Sequence, residues 1–295
     1  MNNKNLIGKI NYNYSIKNLN WFNIGGSAKI YFKPDTLQDL IEFLKLYQNE
    51  KNFFVLGAGS NVLFKDDVFE GAVIKLSKNF SRISLLNKNT IVAGSGALDK
   101  SLSEFAAEND LGGFEFLSCI PGTVGGGIRM NSGCFGSEFK DILISVQAIN
   151  RFGEVLTIPK KDIIFDYRSC NLSKDLIFLS ASFQGNKKKK EEIKEKIKKL
   201  KNKKEEAQPT RVKTGGSTFK NPIKQTDKKV WEIIKESIPS NTQFGDAIVS
   251  NKHANFFINK GNASYSDMKK LIDFVKESVR KKTGINLDLE IVLVE

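Results

Sequence analysis

Residues 120–136 read Ile120-Pro121-Gly122-Thr123-Val124-Gly125-Gly126-Gly127-Ile128-Arg129-Met130-Asn131-Ser132-Gly133-Cys134-Phe135-Gly136. Six glycines and one proline in 17 residues are expected to form neither a helix nor an ordinary strand. Ordering a glycine costs roughly 0.5–1 kcal/mol more than ordering an alanine. A chain that bears this cost repeatedly has a use for bare main chain, and close packing on a large, flat ligand is such a use. A shorter loop, Gly57-Ala58-Gly59-Ser60-Asn61, follows the apolar run at 53–56. Its glycines allow close approach, and its N–H groups, Ser60 and Asn61 are donors suited to a phosphate. Taken alone it is equally well a tight turn. It is not the dinucleotide fingerprint, because GAGSNV lacks the third glycine, and no GxxxxGK[ST] occurs. Together, one loop after a strand and one long loop suit a dinucleotide held by main chain.

Working outward, Thr36-x-x-Asp39 is a capping-box variant, followed by Leu37, Leu40, Ile41 and Leu44 on one helical face. Short strands are expected at 53–56, 73–76, 91–93, 143–149, 154–158 and 176–183, and a helix near 98–109. Ser264-x-x-Asp267 opens another helix, with Met268, Leu271, Ile272, Val275 and Val279 on its apolar face. The tail alternates, with Ile285, Leu287, Leu289, Ile291 and Leu293 on one side and Asp288, Glu290, Val292 and Val294 on the other, as in a strand. This mixture predicts an α+β chain with boundaries near 78 and 206.

The chain has 295 residues, 40% hydrophobic and 27% charged, which excludes a disordered or fibrous protein. Of its net charge of +13, residues 187–206 supply +6, from 11 Lys and 5 Glu. Ile193, Ile197 and Leu200 make one narrow apolar stripe there, and no aromatic or Arg stands among the lysines. A solvated connecting helix fits this pattern better than a nucleic-acid surface. Cys119, Cys134 and Cys170 are too few and too scattered for a disulfide framework, and with no CxxC the spacing argues against zinc or dithiol chemistry. One histidine makes a His-rich metal site untenable. The opening MNNKNLIGKI lacks the apolar centre of a signal peptide, and no run approaches the ~20 apolar residues of a membrane span. A soluble, cytoplasmic protein is expected.

KTGGSTFK at 213–220 contains Ser217-x-x-Lys220 and Lys213-Thr214-Gly215, which match two motifs of penicillin-recognising acyl enzymes. There the motifs lie on separate elements that face each other. Here only Gly216 separates them, and Asn221-Pro222 opposes a helix. SxxK also recurs at Ser266–Lys269 and Ser278–Lys281. The acyl-enzyme reading therefore fails on order and spacing. His253, in NKHANFFIN, reads as a packing residue rather than a base.

Several segments together resemble the UDP-N-acetylenolpyruvoylglucosamine reductase family, in the family's order: FNIGGSA (22–28), LGAGSNVL (56–63), IPGTVGGGIRMNSGCFG (120–136), DYRS (166–169), GGSTFKNP (215–222), SNKHANFFIN (250–259) and LDLEIV (287–292). The resemblance implies a vanillyl-alcohol-oxidase/PCMH-type FAD-binding fold of two α+β subdomains, at 1–77 and 78–206, and an α+β substrate domain at 207–284. It implies that the strand at 285–295 returns near the active site. It further implies a monomeric peptidoglycan-precursor enzyme with non-covalent FAD, NADPH as hydride donor and a UDP-linked enolpyruvyl sugar as substrate. No metal, nucleic acid or membrane is implied.

By residue, the resemblance assigns catalysis to Ser217 as proton donor, Arg168 as carboxylate partner and Glu290. It assigns FAD binding to Gly57, Ala58, Gly59, Ser60, Asn61, Pro121, Gly122, Thr123, Gly125, Gly126, Asn131 and Gly133. Tyr167, Lys213, Asn221 and His253 fall to the substrate. Without it, Arg168 and Glu290 would read as surface charges. The chain departs from the family at Trp21, where a small threonine is usual, at Ser169-Cys170 and at KKVWEII after Pro222. It passes from YRSCNL to the 176–183 strand without an insertion, resembling the shorter subclass that lacks a tyrosine-bearing loop. Another FAD-dependent oxidoreductase of the superfamily would explain the loops but not GSTFKNP or Glu290. A basic nucleic-acid-binding protein would explain the lysines but not the glycine loops.

Overall fold

The computed structural model describes residues 8–47 and 52–295. Residues 1–7, the start of the stretch read above for a signal peptide, lie outside the described residues. The described residues form two compact units, one drawn from residues 8–12, 30–47, 52–58 and 70–204, the other from 13–29, 59–69 and 205–295. Residues 13–29 and 59–69, expected with the first segment, instead belong with the C-terminal unit. The reason is packing, because Phe22, Ile24 and Leu63 are buried in that unit's core.

The first unit has two cores. One is built on helix α1, Leu37–Leu46, whose capping box forms as expected: Asp39 N donates to Thr36 Oγ1 and Thr36 N to Asp39 Oδ2, both at 3.0 Å. Its Phe43 stacks on Phe32 at 4.1 Å between centroids. Phe32 comes from a four-stranded sheet ordered Lys9–Ser15, Ser27–Lys33, Val68–Ile74, Phe53–Val55. The second core lies on a five-stranded antiparallel sheet, ordered Val155–Pro159, Leu143–Ile149, Ile177–Gln184, Thr90–Gly94, Ile83–Asn87. Leu102 and Ala106 of α2, Asp99–Glu108, are buried in it with Val124, Ile128 and Phe139.

The glycine segment departs from expectation, because Val124–Arg129 is a helix, α3. Thr123 makes this possible by accepting from Gly126 N at 3.4 Å, which satisfies one of the N–H groups a helix start leaves over. Gly127 then faces Phe139, at the start of α4 (Phe139–Ile142), so closely that a Cβ would lie 2.2 Å from its ring. The helix exists because glycine lets it approach that ring. Beyond it, Gly133–Cys134 pairs with Ser137–Glu138 through Phe135 and Gly136, at φ +52° and +83°. Positive φ at both positions is the type I′ turn that matches strand twist.

The lysine-rich segment is helix α5, Lys190–Ala207. Ile193 and Ile197 are buried with Ala107, as the stripe predicts. It is more than a solvated connector, however. Lys190 and Lys194 pair with Glu108, Lys188 and Lys196 face the buried Glu115, and Lys204 Nζ donates to Cys119 O at 2.8 Å.

The second unit has an antiparallel sheet ordered Lys213–Ser217, Phe256–Asn259, Ala247–Val249, Gln243–Phe244. Helices α6, Val230–Ser237, and α7, Tyr265–Thr283, share its core. All five residues expected on the apolar face of α7 are buried there. In the tail, Leu287 and Ile291 are buried and Ile285, Leu289 and Leu293 pack against the core, so the alternation was read on the correct side. Only Val292–Val294 is a strand, paired in parallel with Val62–Phe64. The preceding residues are irregular because their main chain bonds individually to residues 218–220.

Arg129, at the end of α3, donates to Leu172 O, Ser173 O and Leu176 O at 2.7, 3.0 and 2.8 Å and stacks over Phe178 at 4.2 Å. A lysine keeps the charge but not the planar fork. Arg129→Lys is expected to lower stability by about 1–3 kcal/mol. The check is a lower urea midpoint at unchanged slope.

Candidate active site

In the first unit the two glycine loops meet. Gly57 lies against Thr123, whose Oγ1 is 2.6 Å from where a Cβ at Gly57 would stand. Gly126 is exposed, and Thr123 Oγ1 at 3.5 Å is its Cβ position's one near neighbour. Pro121 is exposed, while Ala58, Gly122 and Gly125 are half-buried. The N–H groups of Val124, Gly125 and Gly126 are occupied, by Ala97 O, Ser95 O and Thr123 Oγ1. Gly126 therefore offers close approach rather than a free donor, whereas a Cβ at Gly125 would stand 3.0 Å from Ser95 Cβ. Lys75 Nζ donates to Gly57 O at 2.9 Å, and burial, then Lys33, pushes its pKa down.

Asp99, first residue of α2, is fully buried beside Gly122; a Cβ there would stand 2.6 Å from its Oδ2. Neither carboxylate oxygen has a partner among the described residues. A helix N-terminus favours the charged form by about 0.3–1 kcal/mol, but unpaired burial costs a carboxylate more. Its pKa is accordingly raised well above the usual carboxylate value. Bare main chain at Gly57 and Gly126, with an orphaned polar group behind Gly122, fits a cofactor bound through main chain.

The glycine segment also carries a polar knot. Asn131 is fully buried at φ +42°, and its Nδ2 donates to Glu138 Oε2 at 3.0 Å and Asp166 O at 3.1 Å. Arg168, at φ +57°, donates to Gly133 O at 2.7 Å, lies 3.6 Å from Glu138 Oε1 and covers Tyr167 at 4.9 Å. The structure thus joins Asn131, Gly133, Tyr167 and Arg168. Glu138, which links them, was missed, as were Lys75 and Asp99. None has a sequence signal; Asp99 reads as an ordinary first-turn acid.

In the second unit, Ser217 ends the Lys213–Ser217 strand. The register shifts between Thr214 and Ser217, with Gly216 at φ +78°, and such a bulge re-aims the next side chain. Residues 218–220 are not helical, so SxxK has no helix to stand on. Phe219 bridges Leu289 in antiparallel fashion, and Glu290 N donates to Thr218 O at 2.9 Å. Glu290 O accepts from Asn61 Nδ2 at 3.0 Å, and Val292 N donates to Asn61 O at 2.9 Å. Asn61, Ser217 and Glu290 are therefore neighbours.

Gly59, at φ +73°, accepts from Trp21 N at 2.9 Å, so Trp21 touches the first loop through its main chain while its ring is exposed. Ser60 is half-buried. Lys213 stands at the far end of its strand, donating to Gly261 O at 3.1 Å. Asn221 Oδ1 accepts from Val230 N at 3.0 Å at the start of α6. His253 lies against Phe256 and Trp231, with centroids at 4.8 and 5.9 Å, and burial lowers its pKa.

An FAD-binding domain family matches residues 28–159, and the C-terminal domain family of UDP-N-acetylenolpyruvoylglucosamine reductase matches residues 208–294. The protein is therefore an FAD-containing oxidoreductase of α+β fold. The UDP-N-acetylenolpyruvoylglucosamine reductase of Pelagibacter ubique (strain HTCC1062) is 61% identical over 97% of this chain and 95% of that protein. The enzyme of the same name from Rickettsia conorii (strain ATCC VR-613 / Malish 7) is 42% identical over 96% and 95%. The crystal structure of the reductase from Thermus caldophilus superposes with a TM-score of 0.83 at 28% identity, covering 98% of this chain and 99% of that one. This chain belongs to the UDP-N-acetylenolpyruvoylglucosamine reductase family.

Unfolding exposes Asp99 and returns its pKa to about 3.9. The folded protein then binds the extra proton, so stability is greatest below that value and is lost as pH rises toward the folded pKa. Asp99→Asn is expected to flatten the fall in urea midpoint between pH 4 and 8 and to equal or exceed the parent near neutrality.

Proposed function

We propose that the protein reduces the enolpyruvyl group of UDP-N-acetylglucosamine enolpyruvate, with NADPH as electron donor, to give UDP-N-acetylmuramate. This is a step of peptidoglycan precursor synthesis, carried out in the cytoplasm by a monomer. The observation that carries the reading is the main-chain bond from Glu290 to Thr218, which sets Ser217 beside Glu290 in a chain of this family. FAD, when bound, supplies the hydride relay between NADPH and the vinyl carbon. The glycine loops hold it through main chain.

The work of the side chains follows from the charge that hydride addition leaves. The carbon bearing the carboxylate becomes carbanion-like and strongly basic. Serine is a weak acid, yet a well-placed hydroxyl suffices for so strong a base. Ser217 Oγ gives its proton to that carbon. Arg168 pairs with the substrate carboxylate and stabilises the enolate. Glu290 orients the enolate oxygen. Tyr167, Lys213, Asn221 and His253 serve the rest of the substrate, with His253 contributing a neutral, packed ring rather than a base.

FAD is held without a covalent link, since no His or Cys is placed for one. Acid precipitation should release the colour into the supernatant, and a yellow pellet would refute this. Hydride transfer from NADPH needs no proton at the substrate carbon, whereas quenching the enolate does. Ser217→Ala should therefore leave flavin reduction near normal and slow reoxidation by the enolpyruvyl substrate by at least ~10²-fold. Ser217→Cys should recover part of the loss. Stopped-flow absorbance separates the two halves; equal slowing of both would show that Ser217 organises the site and the proton comes from elsewhere.

A further inference from the structure

Arg168 sits in the two-residue turn of a short hairpin in which Asp166 pairs with Ser169. Its φ of +57° is one that a non-glycine residue keeps only where its surroundings impose it. The surroundings are the end of the glycine segment. Asn131 Nδ2 donates to Asp166 O at 3.1 Å, which ties the hairpin down on one side of the turn. The guanidinium ties it down on the other, against Gly133 and Glu138.

Gly133 and Glu138 stand directly opposite each other across their own hairpin. A Cβ at Gly133 would meet Glu138 Cγ at 2.7 Å, so the bare glycine is what lets the Glu138 side chain lie across its partner strand. Arg168 Nη2 donates to Gly133 O at 2.7 Å, and Nη1 lies 3.6 Å from Glu138 Oε1. The guanidinium carbon also lies over the Tyr167 ring, 4.9 Å from its centroid. A guanidinium is rigid and planar. The contacts at its η nitrogens fix where it points, and the ring limits its tilt.

We propose that Glu138 is the positioning residue of Arg168, its carboxylate holding the guanidinium in the orientation that receives the carboxylate of the substrate. This rests on the reductase reading, in which Arg168 is the partner of that group.

The place demands an ionised carboxylate. Glu138 Oε2 accepts from Asn131 Nδ2 at 3.0 Å and lies 2.8 Å from Lys140 Nζ, while Oε1 faces Arg168. Each of these neighbours is a donor, and an ionised carboxylate accepts at both oxygens. A glutamine amide has one accepting end and one donating end. Whichever way it turns, its NH2 group confronts either Arg168 or Asn131 and Lys140. The side chains of Glu138 and Arg168 are 19% and 17% exposed, so water does little to make good a lost charge. Glu138→Gln therefore loosens the guanidinium directly, or loosens the hairpin through Asn131. A loosened arginine must give up rotamer freedom each time it meets the substrate.

The test follows each half-reaction by stopped-flow absorbance in full-length, flavin-loaded protein. In Glu138→Gln, flavin reduction by NADPH should stay within about twofold of the parent, while reoxidation by UDP-N-acetylglucosamine enolpyruvate should slow ~10-fold or more. Glu138→Asp keeps the charge and should recover part of the loss. The deciding comparison is a double-mutant cycle with Arg168→Lys, which keeps a cation without the fork. Since Glu138 acts through Arg168, adding Glu138→Gln to Arg168→Lys should slow reoxidation by less than about threefold more. Additive losses in the cycle, equal slowing of both half-reactions, or parent-like reoxidation in Glu138→Gln overturns the proposal. If Glu138→Gln folds poorly, Glu138→Asp and its cycle with Arg168→Lys carry the same test with a smaller loss expected. A parent that NADPH reduces but the enolpyruvyl substrate does not reoxidise refutes the reductase reading, and parent-like reoxidation in Arg168→Lys refutes the role of Arg168. The proposal falls with either, and those two measurements separate such failures from one at Glu138.

Discussion

Absence of a Cβ is the constraint on which the packing of the glycine segment and the first loop depends. At Gly127 a single methyl would stand 2.2 Å from the Phe139 ring, and at Gly57 it would meet Thr123 Oγ1 at 2.6 Å. Both contacts are core packing first. They fix where α3 sits and where the first loop ends. Thr123 has two tasks in consequence, capping α3 and walling Gly57. Substitution at any of these three positions would disturb helix, loop and ligand surface together.

Polar and strained residues cluster where the glycine segment ends. Asn131, Phe135 and Arg168 all take positive φ without being glycine, a conformation that costs of order 1 kcal/mol each and persists only where surroundings over-determine it. Asn131 and Arg168 are held by the same carboxylate, Glu138. A buried network of this kind is stable only if every member is satisfied. Glu138 therefore has a structural task even though it was not a candidate for chemistry.

Local signals were legible where a few neighbouring residues decide the outcome. The two expected capping boxes, the α7 face and four strands of the five-stranded sheet follow from hydrophobic period and cap chemistry. The tail's buried side was legible for the same reason, but its irregular path was not, because residues 218–220 impose it from across the unit. Glycine count misled at α3, where the Thr123 cap and the Phe139 contact outweigh glycine's poor helix propensity. The allocation of residues 13–29 and 59–69 was illegible because it rests on Phe22, Ile24 and Leu63 finding a core supplied by distant chain. The proposed site residues come from motifs shared with a family, not from composition. Glu138, Lys75 and Asp99 had no such motif.

The parallel pairing of Val62–Phe64 with Val292–Val294 has a consequence for biosynthesis. The second unit draws on residues 13–29 and 59–69 and on residues 205–295, which are made much later. At ~5–20 residues per second, the early part waits roughly 10–50 s on the ribosome for its partner. Phe22, Ile24 and Leu63 spend that interval as exposed apolar side chains on a nascent polypeptide. Vectorial synthesis thus leaves the second unit incomplete until Val292–Val294 has been made, with the early segments a natural client for chaperones until then.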